Sequence, residues 1–181
     1  MSRAFVDEDA QQSEESGDAP LKVPVPGGSR NYLTPEGAEA LSREIVGLKE
    51  EALPRAQADL AALMAAGAAS DAADAARRKV SRLERRVAYL SEMASLAEVV
   101  PPPATGTDRV MFGALVEVRE EDGSAREYRI VGIDEARPED GRVPWTSPVA
   151  RALMGKRAGD QATVKLPQGG KRLTVLTVSY P

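Results

Sequence analysis

Two carboxylates, Asp71 and Asp74, stand three residues apart near the middle of the chain, shortly after Gly67. On a helix that spacing puts both on one face, where they offer oxygen ligands to a hard cation such as Mg²⁺. Acids at the start of a helix also complement its dipole and cap it, so the pair has a purely structural explanation as well. Arg77, Arg78, Lys79, Arg82, Arg85 and Arg86 follow, with only Glu84 opposing them. Positions 78, 82, 85 and 86 share one side of a helix. Such a stripe binds phosphates, or it is a solvated face whose charges pair with an acidic neighbour. The chain contains no Cys and no His. Disulfides, thiolate or imidazole metal sites, and Cys- or His-dependent catalysis are thereby excluded. No glycine-rich phosphate loop, nucleophile elbow or paired hydrolase acids occur.

The elements that must carry these residues are two long helices. Thr34 as N-cap, Pro35 at the first helical position and Glu36 in the first turn form a start signal. Apolar residues then recur at Leu41, Ile45, Leu48 and Ala52. Pro54 removes a backbone donor, which predicts a bend or a loosened turn there. The stripe resumes at Leu60, Leu63 and Met64 and stops at Gly67. The second helix shows a cleaner seam: Ala76, Val80, Leu83, Val87, Leu90, Ala94 and Ala97 alternate steps of four and three, the period of a coiled coil. The short connection Gly67-Ala68-Ala69-Ser70 makes the helices antiparallel. The expected rod spans residues 31–98 and is roughly 45 Å long. The first helix carries six acids and three bases, so part of the basic stripe has partners across the hairpin.

On either side of the rod the composition changes. Residues 1–30 hold Asp7, Glu8, Asp9, Glu14, Glu15 and Asp18 among Ser, Gln, Gly and Pro. They read as a flexible acidic arm unable to offset its ordering entropy, either a plain tail or a segment that docks on a basic partner. Residues 99–107, with Pro101-Pro102-Pro103, read as a linker. Residues 108–181 show strand alternation over 114–119 and 126–131 around an Asp122-Gly123 turn. Further strands are expected over 161–166 and 172–178 around a Pro167-to-Gly170 turn. A short helix from Val149 to Met154 opens at Ser147-Pro148 and is stopped by Gly155. The expected domain is a small twisted antiparallel sheet packing one helix, which makes the chain α+β. Trp145, the single tryptophan, serves core packing or an exposed contact. At 181 residues and net charge −4, the chain allows one domain or two small ones and is no general nucleic-acid coat. It has no membrane-spanning run and no secretory signal, so a cytoplasmic location and no membrane partner are expected.

Several blocks together carry a family resemblance: Tyr32-Leu33-Thr34-Pro35-Glu36-Gly37, Glu84-Arg85-Arg86-Val87-Ala88-Tyr89-Leu90, Met111-Phe112-Gly113-Ala114, Tyr128-Arg129-Ile130-Val131-Gly132-Ile133-Asp134-Glu135, and Ser147-Pro148-Val149-Ala150-Arg151-Ala152-Leu153-Met154-Gly155-Lys156. From about Asn31 to Tyr180 the chain resembles the Gre family of bacterial transcription elongation factors, nearer GreB than GreA. The resemblance implies an FKBP-like C-terminal domain that docks at the rim of the RNA polymerase secondary channel, with Ser147, Pro148, Val149, Ala150 and Arg151 in the docking segment. It implies a coiled coil reaching down the channel, with Arg77, Arg78, Lys79 and Arg82 facing the extruded 3′ end of backtracked transcript. Tip acids, here Asp71 and Asp74, would help hold the second Mg²⁺ of the polymerase. The chain would then be no enzyme by itself and have no cofactor of its own.

At the tip the sequence departs from the family pattern Gly-Asp-x-x-Glu-Asn-Ala-Glu/Asp-Tyr. Gly67 is followed by Ala68, the Glu is the shorter Asp71, and Ala72 and Ala75 replace Asn and Tyr; Asp74 keeps the place of the third acid. The chain is also about two residues shorter here than GreB-like sequences. Three functions follow as expectations. The chain is a channel-binding regulator with weak or absent transcript cleavage, altering pausing, initiation or nucleotide entry, or competing with other secondary-channel factors. Alternatively it is a fully active cleavage factor working through Asp71 and Asp74. A third reading is a coiled-coil scaffold or chaperone unrelated to polymerase.

Overall fold

A computed structural model of the chain describes residues 24–67, 70–104, 106–166 and 169–181. The expected acidic arm lies outside the described residues up to position 23. Helix α1, Pro35–Gly47, starts at Thr34, whose hydroxyl accepts from the Gly37 amide at 3.0 Å. The cap satisfies a donor that the first helical turn leaves unpaired. After α1 comes a π-helical turn, Leu48–Ala52, and then α2, Leu53–Ala65. The turn closes with the Leu53 amide on the Leu48 carbonyl, a five-residue span. It ends two residues before Pro54, which has no amide to give to an α-helical ladder and whose ring crowds the preceding turn. The loosened turn predicted from Pro54 is thus a single widened turn one step earlier. Beyond Gly67, in left-handed conformation at φ 61°, helix α3 runs Ser70–Ser95, about 39 Å.

Burial along the rod is graded. Toward the tip the seam is lined by Ala56 and Ala73, and toward the foot by Val80, Leu90 and Met93. Apolar area removed from water therefore grows toward the foot. Two expectations change. Ala94 and Ala97 are exposed, and fully buried Met93 closes the seam instead. Met64 is also exposed, at 56%.

The cause at the foot is a strand pair that periodicity did not show. Strands β1, Asn31–Leu33, and β2, Ala97–Val99, pair in parallel, so the chain enters and leaves the hairpin side by side. Helix α3 consequently ends at Ser95, short of the expected 98. Asn31 is fully buried, and its side-chain amide donates to the Met93 carbonyl at 3.0 Å, satisfying an end carbonyl of α3.

The C-terminal part is a five-stranded sheet in the order β5-β4-β3-β7-β6. Its strands are β3, Leu115–Glu120; β4, Ala125–Val131; β5, Arg142–Pro144; β6, Gln161–Leu166; and β7, Gly169–Ser179. The Asp122-Gly123 turn forms as read, with Gly123 at φ 86° and the Asp122 carboxylate accepting from the Ser124 amide and hydroxyl. Gly169 and Gly170, read as turn, belong to β7, while Pro167 and Gln168 lie outside the described residues. The expectation of a wholly antiparallel sheet is corrected at one edge, where β5 pairs in parallel with β4. Helix α4, Pro148–Leu153, covers the sheet, and its Ala150 and Leu153 are buried with Val116, Val118, Ile130 and Val175. No helix among the described residues is long and apolar enough to cross a membrane.

Candidate functional site

Asp71 lies exposed in the first turn of α3. Asp74, one turn on, binds Arg77 Nη1 at 2.7 Å, and Arg77 Nη2 reaches the Met64 sulfur across the hairpin at 4.0 Å. The two acids therefore differ in state: one faces water, the other holds an arginine in place. Ala68, at the position of the missing acid, lies outside the described residues. Among the described residues, no group of three or more carboxylates that could hold a metal ion exists. Two carboxylates, one of them in an exposed ion pair, fit the reading that they add oxygen ligands to an ion held elsewhere.

The six bases of α3 separate by partner. Lys79 faces Asp59 at 3.8 Å, and Arg86 binds Glu44 at 2.8 Å, both across the hairpin. With Arg77 on Asp74, half the stripe is engaged in pairs of the kind that a solvated face makes. Arg78, Arg82 and Arg85 are exposed, and no ion pair to them occurs among the described residues. They follow at i, i+4 and i+7, opposite the seam, over about 10 Å. Tyr89 continues that line at i+11, and its hydroxyl donates to Asp134 of the C-terminal domain at 2.8 Å. The bare guanidinium line therefore runs along the side of the rod that the C-terminal domain flanks.

The Tyr89 phenol is pushed up to about 12 from its usual 10.0, first by burial, then by its hydrogen bond and proximity to Asp134. In the unfolded chain it ionises near pH 10, while the folded chain keeps it protonated to about 12. Its contribution is whole below pH 10 and disappears as pH rises through about 12. Because the ring is partly exposed, screening limits the contribution to about 1 kcal/mol. The Tyr89→Phe variant is expected to lose less stability across that window than the native chain, as read by urea unfolding over a pH series.

In the segment read as docking, Ser147 is the N-cap of α4, its hydroxyl accepting from the Ala150 amide at 3.1 Å. Ala150 is fully buried and Val149 packs on the core. Pro148 and Arg151 are exposed, as is Met154, 42% open at the helix end. Of the five residues named from sequence, two thus present surface and the others build the helix that presents them. Ser147→Ala is expected to cost about 1 kcal/mol, seen as a fall of about 4–8 °C in the thermal transition of the C-terminal domain. Ser147→Asp should retain most of that stability.

The joint between rod and sheet contains residues whose roles the sequence did not reveal. Tyr32 of β1 meets Trp145 edge-on at 5.4 Å and Phe112 at 6.2 Å. Trp145 therefore packs on the core and seats the rod at once. Arg129 binds Glu36 at 3.1 Å. The Glu135 side chain, 5% exposed, accepts from the Thr34 and Gly132 amides at 2.9 and 3.0 Å, from the Thr34 hydroxyl, and from Arg142 at 3.5 Å. Thr34 and Glu135 are 101 residues apart, so only the fold brings them together; Gly37 and Gly132, inside the resembling blocks, were the available signal.

Comparison with known proteins covers both halves of the chain. The family model described as "Transcription elongation factor, N-terminal" matches residues 31–99, and "Transcription elongation factor, GreA/GreB, C-term" matches residues 105–180. The chain is 39% identical over 151 residues to transcription elongation factor GreA of Beijerinckia indica, covering 82% of this chain and 96% of that protein. It is 32% identical over 155 residues to transcription elongation factor GreB of Neisseria meningitidis, covering 84% and 95%. Of these two relatives, the GreA protein is the more similar, although the blocks read from sequence had leaned toward GreB. The crystal structure of GreA factor homolog 1 of Thermus thermophilus is 24% identical, covering 83% of this chain and 99% of that one, at a TM-score of 0.39.

Proposed function

This chain belongs to the GreA/GreB family of transcription elongation factors, and from that premise we propose that it binds bacterial RNA polymerase at the secondary channel and modulates elongation with weak or absent stimulation of transcript cleavage. The sheet with its single covering helix, read as FKBP-like, would dock through the exposed Pro148, Arg151 and Met154. The rod would carry Arg78, Arg82 and Arg85 toward the 3′ end of a backtracked transcript. The chemistry would be the polymerase's own, supplied at its active-site Mg²⁺. Asp71, exposed at the start of α3, is the carboxylate free to approach that centre.

The observation that carries the weak-cleavage reading is the state of the tip. Ala68 stands where the family pattern has an acid, and Asp74 holds Arg77 at 2.7 Å. The reading as a fully active cleavage factor keeps one support, the survival of two acids on one face. The reading as an unrelated scaffold has none once the family models match both halves.

The test is a backtracked elongation complex incubated with Mg²⁺ and the purified chain, beside an active GreA protein. Tight polymerase binding without transcript shortening, and displacement of the active factor, are the expected results. Shortening at the active factor's rate would replace this reading with the active one. Absence of polymerase binding would remove both.

A further inference from the structure

The tip and the arginine line are useful only if the rod points in one direction, and that direction is set where α1 meets the sheet. We propose that Glu135 is the positioning residue of this joint, the group that fixes the angle between the rod and the C-terminal domain.

Its carboxylate has four donors, drawn from both sides of the joint. Thr34 supplies two, its amide and its hydroxyl, from the start of the rod. Gly132 and Arg142 supply the others from the sheet domain. The Thr34 hydroxyl is shared, since it also accepts from the Gly37 amide as the cap of α1. The cap and the pin are therefore one hydrogen-bonded unit, and rotating the rod breaks both. A buried carboxylate also suits this place because it faces the positive end of α1.

Two glycines make the approach possible. A Cβ on Gly37 would stand 2.1 Å from the Glu135 carboxyl carbon. One on Gly132 would stand 2.6 Å from both Glu135 Oε1 and the Tyr32 carbonyl. Neither glycine has positive φ, so what a side chain would meet is contact: at Gly37 it would displace the Glu135 carboxylate, and at Gly132 it would also meet the Tyr32 carbonyl. The Tyr89–Asp134 and Arg129–Glu36 contacts lie at the exposed edge of the joint, where water competes for them.

The absence of cysteine from the chain allows a direct test. Spin labels are placed through Ala58→Cys on the rod and Lys165→Cys on the sheet, both exposed positions, and the interdomain distance distribution is measured. The otherwise native chain is expected to give one narrow distribution. Glu135→Gln keeps the shape but removes the charge and one acceptor, and should raise the population outside that peak about tenfold. Gly37→Ala attacks the same contact from the other side while favouring the helix itself, and should give the same broadening with helix content retained. In the Glu135→Ala background, Gly37→Ala should add nothing, because both act through one contact. If Glu135→Gln fails to fold, Gly37→Ala alone decides. A narrow, unshifted peak in every folded variant would overturn the assignment.

The assignment rests on the joint alone; its consequence for transcription rests on the function proposed above. Broadening without any change in polymerase response would count against that function's use of the joint and leave the positioning role standing.

Discussion

The Ala68→Asp variant is expected to shorten transcripts in a backtracked complex about a hundredfold faster than the native chain, a barrier change of about 2.7 kcal/mol. The native tip presents one exposed carboxylate, Asp71, and one held by Arg77 at 2.7 Å. An oxygen ligand acts on a metal centre only from the right position, and Asp71 is one methylene shorter than the Glu of the family pattern. Charge at position 68 restores the missing acid of the family pattern. Ala68→Asn, of similar size but neutral, should give no gain. Adding Asp71→Asn to Ala68→Asp should erase most of the gain, because the two acids would act as one unit. The measurement is single-turnover cleavage at fixed Mg²⁺. Native cleavage already at the rate of an active factor, or no difference between Ala68→Asp and Ala68→Asn, would remove the tip as the reason for weak activity.

What was legible in the sequence was whatever had a period or a local rule behind it. Thr34-Pro35 gave the start of α1 because capping is decided within one turn. The seam was readable from Ala76 to Leu90 because two helices in contact impose a repeat on each other. It failed at Ala94 and Ala97, where contact with the other helix gives way to a three-residue strand pair whose partners, Asn31 and Ala97, are far apart in sequence. Strand β5 was missed for the same reason: three residues are too few to show alternation. Of the site, the sequence names the acids and bases but not which of them are paired. Whether Lys79 is bare depends on Asp59, and whether Arg86 is bare depends on Glu44; both partners sit on the facing helix at a register that spacing alone does not fix. Glu135 stands in a block that carries the resemblance, with Gly37 and Gly132 as its trace, but its role was not legible because its partner Thr34 lies 101 residues away.

That division of the arginines yields the second large effect. Replacing Arg78, Arg82 and Arg85 together with alanine should weaken binding to backtracked complexes about a hundredfold at moderate salt. It should also reduce the slope of log affinity against log salt by about 2, since each single-strand phosphate contact contributes about 0.7. Replacing Arg77, Lys79 and Arg86 removes the same charge from the same helix, but these three already have carboxylate partners at 2.7, 3.8 and 2.8 Å. Their loss frees three acids and subtracts little from a phosphate surface. The second triple variant should therefore leave the salt slope nearly unchanged and show its effect mainly in the thermal stability of the hairpin. The two variants share net charge, so a non-specific attraction between the chain and nucleic acid would lower both slopes equally. A difference between them is the signature of a directed line of contacts, and equal slopes would mean that Arg78, Arg82 and Arg85 face only water.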